Sequence, residues 1–223
     1  MFFGPFLFLY AILFFFGLAF VFTLIEIGII NYVFQALGLS PHLAFLALLA
    51  SLVGSYFNIP IARVESSAAH SLEVVQHFGI RYRPPVRYAG SSTTVAINVG
   101  GAIVPLAIST YVLLHWTTVI VPAVIGTAIV ALVVHRFARP VPGMGIATPM
   151  LIPPVVAALV GWVLGGAHPD GVAYISGVLG TLIGADIMNL GKLRGLGAPV
   201  ASIGGAGTFD GIFLTGIVAV LLA

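Results

Sequence analysis

Long apolar runs alternate with short polar segments along the whole chain. Because a helix rises about 1.5 Å per residue, about 20 apolar residues are needed to cross the roughly 30 Å hydrocarbon core of a membrane. The pattern predicts seven spans, at residues 5–34, 42–63, 93–114, 117–138, 146–164, 172–190 and 199–223. We therefore expect an all-α, polytopic membrane protein, with residues 1–223 forming a single transmembrane domain.

Composition and charge refine this picture. Of the 223 residues, 60% are hydrophobic and 6% are charged, which excludes an ordinary soluble domain. All eight Lys and Arg residues follow the second, fourth and sixth predicted helices: Arg63, Arg81, Arg83, Arg87, Arg136, Arg139, Lys192 and Arg194. The positive-inside rule then predicts a cytoplasmic N-terminus and an outer C-terminus. The small excess of basic residues is explained by this topology and does not indicate a nucleic-acid partner. The absence of cysteine excludes thiolate catalysis.

One segment between spans, residues 64–92, is long enough to carry structure of its own. Its first half has helical spacing of apolar residues and predicts a helix on the cytoplasmic membrane surface. His70, Glu73 and His77 would share one face of that helix, which we interpret as a solvated face in preference to a metal site. A second set of side chains suits contact with anionic lipid: Arg81, Arg83 and Arg87.

Short internal matches suggest a duplication. "ASLVG" at 50–54 is similar to "GTLIG" at 180–184, and "NVGGA" at 98–102 is similar to "SIGGA" at 202–206. Helices one to three would then pair with helices five to seven as parallel repeats linked by helix four, an arrangement that in membrane proteins often places a site at the midplane.

Three acids fall inside predicted spans: Glu26, Asp186 and Asp210. An ionised carboxylate in the membrane interior costs about 2.5–3.5 kcal/mol on insertion scales, so such residues usually face a functional site. For Glu26, near the outer end of the first helix, we favour simple access to water. The two aspartates are the stronger candidates.

Glycines precede the second aspartate and predict a broken last span: Gly204, Gly205 and Gly207. Glycine is a poor helix former, so residues 199–207 are expected to enter the membrane as irregular chain, with the helix beginning near Thr208. The remaining 16 residues would span about 24 Å and fall about 6 Å short of the far surface. Asp186 lies about 6 Å from the cytoplasmic end of its own helix, so Asp210 is expected to be level with it.

Two carboxylates that share a site do not both ionise easily, so one keeps a proton. An acid and a base bridged by water can hydrolyse an amide, and a transmembrane peptide would be the substrate. Gly205 and Gly207 would allow close backbone approach. The residues expected to support the site are Thr208, Asn98 and Asn189. This chemistry needs no metal and no cofactor.

The segments around both aspartates resemble a known group of enzymes. "GADIMNL" at 184–190 and "DGIFLTGIV" at 210–218 are similar to the surroundings of the two catalytic aspartates in the GxGD-type intramembrane aspartyl proteases, the presenilin and signal-peptide-peptidase group. The resemblance implies that Asp186 and Asp210 are a catalytic pair. The chain departs from that group by reading "GTFD" at 207–210 and by lacking a following helix with a Pro-Ala-Leu motif.

The chain as a whole resembles a family of bacterial and archaeal membrane proteins that has no assigned function. The hallmark of that family is similar to "GAPVASIGGAGTFDGIFLTG" at 197–216. This resemblance implies a membrane fold, a location in a prokaryotic inner membrane, and no particular activity.

Two further functions stay open. Broken helices with carboxylates and amides also bind ions in secondary transporters, so Asp186, Asp210 and Asn98 could line the site of a proton- or cation-coupled transporter or channel whose substrate is a small ion. The basic segment at residues 64–92 would instead suit a scaffold or lipid-binding protein.

Overall fold

The computed structural model describes residues 5–65, 75–77, 80–82, 92–141, 145–195, 200–205 and 211–223. Seven α-helices lie in these ranges: α1 (Pro5–Ala36), α2 (Pro41–Gly54), α3 (Val104–His115), α4 (Ile120–Phe137), α5 (Ile152–Leu164), α6 (Pro169–Thr181) and α7 (Gly211–Leu222). Short strands lie between them: β1 (Asn58–Glu65), β2 (Val75–His77), β3 (Ile80–Tyr82), β4 (Ser92–Asn98), β5 (Arg139–Val141), β6 (Gly145–Ala147) and β7 (Val200–Ile203).

Three helical segments are long and apolar enough to cross a membrane: Phe14–Ala36, Thr117–Phe137 and Pro169–Lys192. The last of these continues α6 through a π-helical turn, Leu182–Asp186, and a 3-10 segment, Ile187–Gly195. These three segments indicate a membrane protein. The other apolar helices have 10–17 residues, which is less than a straight crossing needs, so seven crossings remain a prediction.

Helix α6 lies at the centre of the helical bundle, and every residue from Gly171 to Val178 is buried. Small residues let its neighbours approach closely, as is common between membrane helices. An added Cβ at Gly126 of α4 would lie 2.2 Å from Ser176 Oγ, and one at Gly180 would lie 2.5 Å from Val130 Cβ. Helix α7 approaches in the same way, because a Cβ at Gly216 would lie 2.7 Å from the Tyr174 ring.

A three-stranded sheet adjoins the end of α6, with the strand order β1-β4-β7. Strands β1 and β4 are antiparallel, and their register shifts between Pro60 and Ala62. Proline is tolerated there because β1 is an edge strand and a bulge interrupts the ladder. Strands β4 and β7 are parallel, with Ala96 opposite Ser202.

The sheet corrects several predicted spans. The predicted second span, 42–63, ends as a helix at Gly54, and its last residues form β1. The spans at 93–114 and 146–164 begin in β4 and β6, because an apolar strand and an apolar helix look alike over a few residues.

The last predicted span, 199–223, is non-helical at its start, as expected, but residues 200–203 form a paired strand and not irregular chain. The helix that follows is described from Gly211, and the predicted start at Thr208 lies outside the described residues.

The expected surface helix in residues 64–92 is wrong where the structure describes it. Val75–His77 form β2, which pairs with β3 as a hairpin. In an extended strand His77 cannot share a helical face with residues on preceding turns. His70 and Glu73 lie outside the described residues.

Two strand-to-helix units lie side by side in the structure. Strand β4 passes through a π-helical turn, Val99–Ile103, into α3, and β7 is followed along the chain by α7. Because β4 and β7 are parallel neighbours, both units leave the sheet in the same direction. The matched segments 98–102 and 202–206 fall at the strand ends of these two units.

Candidate functional site

Asp186 is the last residue of the π-helical turn that extends α6, and its side chain is half-buried. Its Oδ2 accepts a hydrogen bond of 3.2 Å from the backbone N–H of Gly204. An N–H that donates to a carboxylate stabilises the charged form. This contact ties the end of α6 to the turn that follows β7.

The π-helical turn beneath Asp186 is held by Asn189, which is fully buried. Its Nδ2 donates to the carbonyl oxygens of Gly184 and Ala185, each at 2.9 Å. The Oδ1 atom of Asn189 is buried without a hydrogen-bond partner among the described residues. Such π-helical turns are rare and often occur at functional sites.

Glycine is required where Asp186 meets the turn after β7. Gly204 has φ +75°, a conformation that other residues adopt only at a cost, and an added Cβ would lie 2.5 Å from Ala102 Cβ. At the next position, an added Cβ on Gly205 would lie 2.7 Å from Asn98 Cβ. The Gly204–Gly205 turn is therefore packed directly against the start of the β4–α3 unit.

Asn98 holds the first turn of that unit and is almost fully buried. Its Oδ1 accepts from the N–H of Gly101 at 2.7 Å. Its Nδ2 donates to Ser55 O at 2.7 Å and to Asn58 Oδ1 at 3.2 Å. Both amide donors are thus used within the protein, as expected of a residue that fixes local structure.

Asn58 and Ser202 extend this polar network and were not predicted as site residues. Ser202 Oγ donates to Asn58 Oδ1 at 2.5 Å, so one amide oxygen accepts from both Asn98 and Ser202. The network joins all three strands of the sheet. The similarity of segments 98–102 and 202–206 was a usable signal, because it places Ser202 at the position of Asn98.

The described structure thus brings together four of the predicted residues: Asp186, Asn189, Asn98 and Gly205. Three others lie outside the described residues: Gly207, Thr208 and Asp210. The distance between the two aspartates is therefore not among the described geometry. The segment that contains Asp210 begins just after Gly205 and ends at the first residue of α7, Gly211.

The other charged candidates lie apart from this site. Glu26 is on α1, beside α7. Arg81 belongs to β3, whereas Arg83 and Arg87 lie outside the described residues. Within the described ranges, no group of three or more His, Asp or Glu side chains is placed to hold a metal ion.

Comparison with known proteins gives one match. The model of a family described as "Protein of unknown function (DUF1614)" matches residues 52–222, which includes the sheet, Asp186 and α7 but leaves out α1. No curated protein and no solved structure is significantly similar to the chain. Because the match covers most of the chain and includes the hallmark at 197–216, the protein belongs to the DUF1614 family.

Proposed function

We propose that the protein is an intramembrane hydrolase of the aspartyl-protease type, with Asp186 and Asp210 as its acid–base pair. The observation that carries the proposal is the hydrogen bond from Gly204 N–H to Asp186. It fixes one acid to the turn from which the chain runs, through Asp210, into α7. Asp186 is therefore bound next to Gly205, the last described residue before the segment that contains Asp210.

The packing of α6 on α7 supports this arrangement. Gly177 faces Thr215, because an added Cβ would lie 3.1 Å from Thr215 Cγ2. A helix rises about 1.5 Å per residue, so Asp186 lies roughly 14 Å from that contact along α6, toward the sheet. Gly211 lies roughly 6 Å from the same contact along α7, also toward the sheet, so the two residues differ in height by about 8 Å. Since extended chain covers about 3.3 Å per residue, the seven steps along the chain from Gly204 to Gly211 are long enough to join the two levels.

The depth of the site fits a reaction inside the membrane. Helix α7 has 12 residues and is about 18 Å long, so it begins about 12 Å short of a full crossing. At its far end, Trp162 Nε1 donates to Ala223 O, beside the end of α5. The helix would therefore present its N-terminus, where the helix dipole favours a carboxylate, below the membrane surface.

In the proposed reaction Asp186 is the base, since the N–H of Gly204 stabilises its charge. It removes a proton from water, and the resulting oxygen nucleophile attacks the peptide carbonyl carbon. Asp210, in its protonated form, donates its proton to the carbonyl oxygen and leaves a neutral tetrahedral intermediate. Breakdown of that intermediate restores both acids: Asp186, now protonated, donates its proton to the amide nitrogen, the Asp210 carboxylate accepts a proton from one hydroxyl, and the amine leaves as the C–N bond breaks.

An extended substrate would suit the neighbouring sheet. Strand β7 is at the edge of the sheet in the described structure, and it leads directly to Gly204. Edge strands bind extended peptides through main-chain hydrogen bonds. A membrane-spanning peptide that unwinds beside β7 would bring its backbone to Asp186.

The wider arrangement belongs to the same proposal. We retain seven crossings with the N-terminus inside, the C-terminus outside, and a parallel repeat of helices one to three and five to seven. The adjacent β4–α3 and β7–α7 units support that repeat. Anionic lipid would bind near Arg81, Arg83 and Arg87 on the cytoplasmic side.

A transition-state isostere tests the acid–base pair without knowledge of the natural substrate. We expect a peptide with a hydroxyethylene group and a photoreactive tag to label the reconstituted protein, because its hydroxyl replaces the tetrahedral intermediate. Asp186→Asn and Asp210→Asn should each reduce labelling at least about tenfold, because each removes a carboxyl group that would bind the isostere hydroxyl in a buried site. Asp170→Asn, at the opposite end of α6, is the matched control and should label normally. Equal labelling of all three variants would exclude the pair.

The two parallel strand-to-helix units also favour a second function, that of an ion-coupled transporter. Discontinuous helices that meet with their N-termini at one site are typical of such proteins. In this case Asp186→Asn should abolish proton- or cation-dependent flux in proteoliposomes while the isostere fails to label the wild-type protein. Asn98 would take part only through its Oδ1, because its donors are already used.

A further inference from the structure

Glu26 lies in a groove of about 390 Å³ between α1 and α7. Its side chain is exposed, and it lies at the centre of the apolar segment Phe14–Ala36 and not, as the sequence suggested, near the outer end of the span. The rest of the groove is lined by apolar side chains of both helices, among them Ile29, Phe213 and Leu221. It is therefore an apolar groove with one carboxylate.

Helix α1 is the least covered of the three long apolar segments. None of its most apolar window is buried, compared with 39% for the Thr117–Phe137 segment and 67% for the Pro169–Lys192 segment. Only its last turns are anchored, where Val33 and Phe34 are fully buried and Phe34 meets the Phe213 ring edge-to-face. The groove is thus open to the membrane.

The position of Glu26 calls for a cationic partner. An unpaired carboxylate in the middle of a membrane costs about 2.5–3.5 kcal/mol or more, and such groups are usually paired. Among the described residues, Glu26 has no hydrogen bond and no ion pair. The Lys and Arg residues of the chain follow α2, α4 and α6 or end α4, and α1 has none.

The positions of the Lys and Arg residues limit which cationic partner Glu26 can have. In a second copy of the chain, the three long apolar segments contain Lys or Arg only at their ends, at Arg136 and Lys192, so neither lies at the level of Glu26. Lipid headgroup amines lie at the membrane surface, and Glu26 is about 15 Å along α1 from its end at Ala36. A lysine on another membrane-spanning helix meets both conditions, because its apolar stem fits the groove and its ammonium is a compact charge.

We propose that the groove between α1 and α7 binds a membrane-spanning helix of another protein, which inserts a lysine side chain that pairs with Glu26. The interaction does not depend on the proposed hydrolysis. Glu26 lies outside the residues that match the family, whereas the α7 side of the groove lies within them.

The test uses two synthetic single-span polyleucine peptides in phosphatidylcholine vesicles, one with a central lysine and one with leucine at that position. Energy transfer between dye-labelled peptide and dye-labelled protein measures binding. The wild-type protein should bind the lysine peptide at least about tenfold more tightly than the leucine peptide, as expected for a charge pair out of water. Glu26→Gln should reduce this preference to about one.

A second variant tests the groove itself and leaves Glu26 intact. Leu221→Trp should fill the groove and weaken binding of the lysine peptide about tenfold. Val163→Trp, on an exposed position of α5 outside the groove, is the control and should bind normally. Equal affinity for both peptides, a lysine preference that persists in Glu26→Gln, or normal binding by Leu221→Trp would each overturn the proposal. Isostere labelling should be unchanged in Glu26→Gln, which separates this test from that of hydrolysis.

Discussion

Replacing Gly204 with alanine perturbs the turn that contacts Asp186. The backbone at this position has φ +75°, which costs a non-glycine residue about 1–2 kcal/mol. The new methyl group would lie 2.5 Å from Ala102 Cβ and 2.8 Å from Ala102 N, so the two chain segments must separate. Overpacking of this kind costs about 1–3 kcal/mol. We therefore expect the free energy of unfolding to fall by about 2–5 kcal/mol.

Thermal unfolding in detergent, followed by the fluorescence of Trp116 and Trp162, measures this loss. For a chain of this size, about 2–5 kcal/mol corresponds to a decrease in Tm of roughly 4–20 °C. Gly211→Ala is the matched control, because an added Cβ at Gly211 meets no atom of the described residues within 4 Å. Since alanine also favours helix more than glycine does, that variant should be unchanged or more stable by up to about 1 kcal/mol.

The Gly204→Ala variant also tests whether the turn after β7 supports the candidate site. If the turn moves, Gly204 N–H no longer donates to Asp186, and isostere labelling should fall together with Tm. Equal Tm values for Gly204→Ala and Gly211→Ala would refute the close approach of this turn to the β4–α3 unit. Normal labelling despite a lower Tm would show that the hydrogen bond to Asp186 is not needed by the site.

Three further substitutions test other contacts by the same measurement of Tm. Asn98→Ala should destabilise the protein by about 2–4 kcal/mol, because it leaves Gly101 N–H and Ser55 O without their partner; a smaller loss than about 1 kcal/mol would contradict the network. Tyr174→Phe should be neutral or stabilising by up to about 1 kcal/mol, since the Tyr174 hydroxyl is buried without a partner, and marked destabilisation would reveal a missed hydrogen bond. Gly180→Leu should cost more than about 2 kcal/mol at the α4–α6 contact, whereas Gly17→Leu, where nothing lies within 4 Å, should cost less than about 0.5 kcal/mol.

The long helices could be predicted from the sequence alone, whereas the strands could not. Helices α1, α4 and α6 were predicted because each has a continuous apolar run that is long enough to be identified as a membrane-spanning helix. The strands were missed because β1 and β4 are apolar segments attached to apolar helices, and their pairing joins residues about 40 positions apart. Local pattern does not reveal a partner at that distance.

The candidate site, like the fold, could be predicted only in part from the sequence. Gly204 and Gly205 correctly predicted a break before the last helix, because glycine runs disfavour helix wherever they occur. The strand pairing that places this break against Asn98 depends on β4, and no property of residues 199–207 indicates it. Asp186 was predicted from its cost in the membrane, whereas its contact with Gly204 required the fold.

The distance between the Asp186 and Asp210 carboxyl groups tests the proposed acid–base pair most directly. The chain has three aspartates, and the third, Asp170, lies at the other end of α6. Solid-state NMR of reconstituted protein labelled with carbon-13 at the aspartate carboxyl therefore reports on this pair alone. We predict a cross-peak that corresponds to a separation within about 6 Å, the span of one bridging water, and its loss in Asp210→Asn. The absence of a cross-peak in the wild-type protein, with both carboxyl signals resolved, would contradict the pair.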